Sequence, residues 1–113
     1  MLHKAFLLLV VAVAGGCSFG GSAVLGHPHP GPIVPVSRLK PSPRSVTIRG
    51  AMVEKCPVAG CWFILRDATG AIKVDTKAAG FTVTDVPVNT VVTVSGRVTG
   101  SGQPVLAADG VRY

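Results

Sequence analysis

The sequence has few aromatic residues and few acids, and it has no histidine after residue 29. Aromatic residues make up 5% of its 113 residues, so the 48% hydrophobic content is mostly valine, alanine, leucine and isoleucine. The five carboxylates form no obvious catalytic pair. No Ser-His-Asp set or phosphate-binding loop can be assembled after residue 45. We therefore expect a protein that is not an enzyme and that holds no cofactor.

Long helical and membrane-spanning runs are also lacking. No ten-residue stretch has a helical period, and the valine and glycine content favours strands. The one long apolar run, 5–14, has about half of the roughly 20 residues that a spanning helix needs. It follows Lys4 and precedes small residues, which is typical of a secretory signal peptide over 1–16. An uncleaved membrane anchor and a buried apolar segment are the alternatives.

The end of this run, VAGGC, resembles a bacterial lipoprotein signal, in which small residues precede an invariant cysteine. The resemblance implies that Cys17 becomes a lipidated N-terminus and holds the protein to a membrane. Two or three acyl chains suffice for stable anchoring. We expect an exported protein of the cell envelope. Because Ser18 rather than Asp follows Cys17, the resemblance implies the periplasm-facing outer membrane if the source has two membranes.

Residues 17–45 are rich in Pro, Gly and Ser and show no apolar face, which predicts a disordered tether. The segment from 18 to 45 has three bases and no acid, whereas 46–113 has seven bases and five acids, a balance of +2. A basic tether on a nearly neutral domain suggests an anionic membrane or wall surface, not nucleic acid. Within the tether, His27 and His29 are either weak Cu(II) or Ni(II) ligands or simply polar linker residues.

From residue 46 onward, apolar and polar residues alternate in short segments. A tight turn, DATG, separates two of the segments, and residues 77–89 leave room for one helical turn at most. Five strands with a longer link after the third predict an all-β, small five-stranded Greek-key barrel over 46–113. An open meander and a half-sandwich are the alternatives. The predicted strands are 46–54, 61–67, 71–76, 90–99 and 104–113.

Three parts of this region carry a family resemblance: IRGAMVE, CWFILRDATGAIKVD and VVTVSGRV. They resemble the strands and the hairpin of small bacterial extracytoplasmic OB-fold domains, a family without an established activity. The resemblance covers 46–113 only. It implies the OB-like barrel that the strand pattern also predicts.

Cys56 and Cys61 are separated by a short turn, CPVAGC. Export favours a disulfide, and a domain of this size gains from one. Dithiol redox chemistry is an alternative, although C-x-x-C at a helix start is the usual arrangement. A third is a Cu(I) site formed with Met52, since soft ligands suit that ion. Free or partner-linked thiols are the last alternative.

OB-folds bind ligands along their second and third strands and the adjoining loops, here 55–60 and 100–103. Strand alternation predicts that Phe63, Leu65, Ile72 and Val74 face inward. The candidate ligand-binding residues then face outward: Trp62, Ile64, Arg66 and Lys73, with Asp75 beside them. Trp62 can stack on a base or a sugar, or it can pack on the tether or the cysteine turn.

Trp62 is the one aromatic residue on this predicted outer face, which disfavours nucleic acid as the ligand. We therefore expect an envelope lipoprotein with a non-catalytic binding module for a glycan, a peptide or an envelope protein. The alternative is a copper or thiol-redox accessory protein that uses Cys56 and Cys61.

Overall fold

Alternating valine-rich segments form six strands in the computed structural model, which describes residues 23–113. The predicted signal peptide, 1–16, and Cys17 lie outside the described residues. The five predicted strands are confirmed with bounds shifted by no more than one residue, and a short N-terminal strand precedes them. The strands are β1 (Val24–Gly26), β2 (Val46–Lys55), β3 (Trp62–Asp67), β4 (Gly70–Asp75), β5 (Val91–Thr99) and β6 (Val105–Arg112).

Strands β2 to β6 close into the predicted five-stranded barrel. Antiparallel pairs join β2 to β3, β3 to β4, β2 to β5 and β5 to β6. The barrel closes through a parallel pair between β4 and β6, in which Val74 lies opposite Leu106. An open meander or a half-sandwich would leave these two strands unpaired. The structure is therefore all-β and OB-like, and closure removes the exposed edges of the five strands.

The barrel interior is packed with aliphatic side chains around Phe63, which is fully buried. Strand alternation holds as predicted, because Leu65, Ile72 and Val74 are buried on the same side of β3 and β4. The segment 76–90 forms turns rather than a helix, and it fills one end of the barrel with two further buried valines. These are Val83 and Val86.

Lys55 fastens this end segment to the barrel. Its ammonium group donates hydrogen bonds to the carbonyl oxygens of Val83, Thr84 and Val86, at 3.4, 2.8 and 2.6 Å. Three acceptors match the three donors of a lysine ammonium group. Lys55 thus adds three hydrogen bonds to the packing of the buried valines at this end of the barrel.

The structure departs from the predicted disordered tether in residues 23–45, which lie along the barrel. β1 pairs with the C-terminal half of β6, and Ile33 forms a bridge with Thr47. A single 3₁₀ turn at Val36–Arg38 buries Val36 against the core. The composition does not show that this segment pairs with β6 and β2. We call residues 23–45 the strap.

One 3₁₀ turn is the whole helical content of residues 23–113, and no helix in this part of the chain is long and apolar enough to cross a membrane.

Candidate functional site

The predicted ligand-binding residues share the outer face of β3 and β4. Trp62 and Ile64 are half-buried, whereas Arg66 and Lys73 are exposed. Cross-strand register places Ile64 opposite Lys73 and Trp62 opposite Asp75. The alternation that buries Phe63 and Leu65 forces these neighbouring positions outward. We call Trp62, Ile64 and Lys73 the platform.

Lys73 covers the tryptophan ring. Its Nζ lies 5.1 Å from the ring centroid of Trp62, a distance at which the cation and the ring quadrupole attract each other. The two residues are diagonal neighbours in the register of β3 and β4. The platform therefore presents one aromatic ring together with one movable cation.

A groove of about 310 Å³ begins at the platform. Ile64, Ile72 and Lys73 line it from the sheet, and Gln103 and Pro104 line it from the turn between β5 and β6. The two sides are close because β4 and β6 pair when the barrel closes. Ile64 and Lys73 thus lie in the groove and Trp62 lies beside it.

Arg66 does not line this groove. It pairs with Ala51 on β2 and Ala71 on β4, at the opposite end of β3 from Trp62. Arg66 therefore shares the outer face of β3 and β4 with the platform but lies outside the lining of this groove.

A larger groove, about 410 Å³, lies elsewhere, between the strap, residues 78–79 and strands β5 and β6. Its charged residues are Arg97 and Asp109, and alanines form much of the remainder. The smaller groove adjoins Trp62 and lies against β3 and β4, so we place the candidate site there despite its smaller volume. Sequence reasoning missed the larger groove because the strap forms one of its walls.

The cysteine turn between β2 and β3 is held by backbone contacts with the end segment. The Thr76 N–H donates to the Cys61 carbonyl at 2.9 Å, and the Val83 N–H donates to the Gly60 carbonyl at 2.8 Å. Gly60 has φ +62°, and a Cβ there would lie 2.8 Å from the Thr84 backbone nitrogen. The turn thus keeps its shape only with glycine at this position.

Both thiols of the turn are free, and their sulfurs lie 3.9 Å apart. A disulfide needs about 2.05 Å, so the structure does not contain the predicted disulfide, which stays a prediction for the oxidised protein. The backbone N–H of Ala59, followed by that of Val58, lowers the pKa of Cys56 from 9.0 to about 7. These donors stabilise the thiolate, the form that is nucleophilic and binds metals.

Two other predicted metal ligands are placed away from the thiols. Met52 is fully buried in the core opposite Leu65, so the proposed Cu(I) site with Met52 is wrong. His29 lies on the strap, where its Nε2 is 3.5 Å from a carboxylate oxygen of Asp109. Within residues 23–113, no three His, Cys, Asp or Glu side chains converge on one point.

Comparison with known proteins agrees with this architecture. A sequence model described as "Bacterial OB fold (BOF) protein" matches residues 39–105, more than half of the chain. The chain belongs to the bacterial OB-fold family. The solved structure of the hypothetical protein ygiW from E. coli is similar, with a TM-score of 0.56 and 24% identity over 76% of this chain and 95% of that one. At this identity the likeness shows the fold alone. No curated protein matches the sequence.

The strand order shows which parts of the barrel are in the position of the binding surface of OB-folds in general. That surface is formed by the second and third barrel strands with the loops that flank them. In this BOF protein those elements are β3, β4, the cysteine turn and the turn at 100–104. The platform groove lies among them, whereas the strap before residue 39 falls outside the family match.

Proposed function

We propose that this BOF protein is a non-catalytic binding module that holds an extended ligand, a glycan or a peptide, across the platform. The observation that carries the proposal is the groove of about 310 Å³ that Ile64 and Lys73 line and that Trp62 adjoins, on the usual OB-fold binding surface. The indole ring offers a flat apolar surface, and Ile64 extends it into the groove. Gln103 adds an amide that both donates and accepts hydrogen bonds.

The charge distribution argues against single-stranded nucleic acid as the ligand. Such ligands need several aromatic residues along a strongly positive groove. The platform has one aromatic residue and Lys73, and Asp75 lies opposite Trp62. A neutral or mixed-charge chain, such as an oligosaccharide or a peptide segment of an envelope protein, fits this balance better.

We also propose that the protein is exported and is held to a membrane of the cell envelope by lipid on Cys17. This part rests on the sequence of residues 1–17. The test is fractionation of cells that express the full chain or its Cys17→Ser variant. The full chain is expected in the membrane fraction and the variant in the soluble fraction. Equal partition of both would contradict lipid anchoring.

The ligand proposal is tested on an array of envelope oligosaccharides and peptides. Trp62→Ala and Lys73→Ala are each expected to weaken binding about tenfold or more, since stacking on an aromatic contributes about 1–3 kcal/mol. Arg97→Ala is the matched control, because it removes a cation from the larger groove. Binding that Arg97→Ala abolishes, or that Trp62→Ala leaves unchanged, would place the site elsewhere.

A further inference from the structure

The two thiols of the cysteine turn form a pair that the platform does not use. Their sulfurs are 3.9 Å apart, and both side chains are partly exposed. A site at this turn would use side chains other than those of the platform, although Cys61 directly precedes Trp62 in the chain.

The two sulfurs are close enough to bind one metal ion. Two thiolates that are the only ligands of an ion lie in a line with it, which places their sulfurs about 4.6 Å apart at a metal–sulfur distance of about 2.3 Å. The sulfurs, 3.9 Å apart in the structure, reach this separation by moving apart by about 0.7 Å. A disulfide would require the sulfurs to approach by nearly 2 Å to reach about 2.05 Å.

The number of ligands selects the ion. Structural Zn²⁺ takes four protein ligands and catalytic Zn²⁺ takes three, whereas the turn supplies two and no third His, Cys, Asp or Glu converges on it in the described part of the chain. Soft thiolate ligands select Cu(I). We propose that Cys56 and Cys61 form a two-thiolate site for Cu(I).

Binding involves no change in oxidation state. Each thiol loses its proton to solvent, and two sulfur–copper bonds form, so that Cu⁺ and two neutral thiols give a bis-thiolate complex of charge −1 and two protons. Backbone N–H groups of the turn, with Ala59 and Val58 foremost, face the Cys56 sulfur and partly offset this charge. Hydrogen bonds from Thr76 and Val83 hold the turn in place, so that little ordering is needed on binding.

The test uses the full chain with Cys17→Ser, so that Cys56 and Cys61 are the only thiols. The protein is reduced with a phosphine under argon and titrated with Cu(I) held by bicinchoninate, a coloured chelator. One Cu(I) per chain is expected to transfer, and the fluorescence of the single tryptophan, next to Cys61, is expected to change in step. X-ray absorption at the copper edge is expected to show two sulfur ligands.

Variants test whether the two thiols hold the copper. Loss of even an outer partner of a metal ligand lowers affinity 10- to 100-fold, so Cys56→Ser or Cys61→Ser is expected to weaken Cu(I) binding by at least about 100-fold. Arg97→Ala, which changes a residue of the larger groove, is the control and retains copper binding. Circular dichroism of each variant checks that the barrel is folded.

Three results would overturn the proposal. The reduced pair takes no copper from the chelator, or copper binding survives the double Cys→Ser substitution, or the pair stays disulfide-bonded under reductant. The last result would instead assign the turn a structural disulfide.

Discussion

At the scale of single residues, two side chains stand out because backbone N–H groups converge on them. Cys56 is surrounded by the N–H groups of its own turn. Asp67 accepts hydrogen bonds from its own turn, through Thr69 and Gly70, and from Val36 of the strap at 2.9 Å. In both cases the backbone stabilises a negative charge, so the effect on pKa and the effect on stability have the same cause.

For Cys56 we predict a thiol that ionises well below its ordinary pKa of 9.0. In the reduced Cys17→Ser/Cys61→Ser double variant, whose only thiol is Cys56, the rate of alkylation by iodoacetamide is expected to rise with pH around a midpoint of about 7. Because the folded pKa is the lower one, the resulting stabilisation is present above pH 9 and is lost as the pH falls towards 7. The unfolded variant in denaturant is the control. A midpoint near 9 in the folded protein would contradict the prediction.

For Asp67 we predict a contribution to stability that depends on pH. Burial raises the pKa of this carboxyl, but hydrogen bonds from Thr69, Val36 and Gly70 outweigh burial and lower it below 3.8. The stabilisation is thus present above pH 3.8 and is lost as the pH falls further. Asp67→Asn is expected to cost about 1–2 kcal/mol at pH 7 and less below pH 3.8, with the cost shrinking further as the pH is lowered, measured by urea unfolding. Asp85→Asn, at an exposed site, is the control, and equal losses above and below pH 3.8 would refute the assignment.

At the scale of elements, the barrel strands and their turns could be predicted because their signals are local. Phe63 and Leu65 alternate with Trp62 and Ile64, and this alternation predicts both strand β3 and its outer face. The turn sequence DATG predicts the hairpin between β3 and β4. The groove could not be predicted, since Gln103 reaches Ile64 only when β4 and β6 pair. The separation of the two sulfurs likewise depends on contacts with the distant segment 76–86.

The cysteine turn gives the prediction at this scale. Gly60→Ala is expected to destabilise the protein by about 1–3 kcal/mol, because alanine at positive φ is strained and its Cβ would press on the Thr84 backbone. Thermal unfolding measures the loss. Gly102→Ala is the matched control, since no atom lies within 4 Å of the added Cβ there. Similar losses in the two variants would show that the turn is not constrained.

At the scale of the whole molecule, the strap joins the two ends of the described chain. The Ala23 N–H donates to the Tyr113 carbonyl at 2.7 Å, and the Tyr113 N–H donates to the Ala23 carbonyl at 3.0 Å. Farther along, His29 bonds to Ser95, and Val36 enters the core. The strap was predicted to be a spacer because three-residue β1 has no alternation long enough to recognise, and its partner β6 lies at the other end of the sequence.

We predict that the strap contributes to the stability of the barrel. A chain that begins at residue 39, where the family match begins, is compared with one that begins at residue 23. The shorter chain is expected to lose about 2 kcal/mol or more, since it lacks several hydrogen bonds of about 1 kcal/mol each and the burial of Val36. Urea unfolding measures the difference. Equal stabilities would show that the strap only rests on the surface.

Docking of the strap also sets how far the protein can reach. If Cys17 carries lipid as proposed, the linker between the lipid and the barrel runs from residue 17 to residue 23. This linker spans at most about 20 Å when it is fully extended. The barrel would then stay within a linker length of the bilayer surface. Any ligand would have to lie within that distance of the membrane. The remaining 23 residues of the predicted spacer, residues 23–45, form the strap and pack along the barrel, so they add no length to the linker.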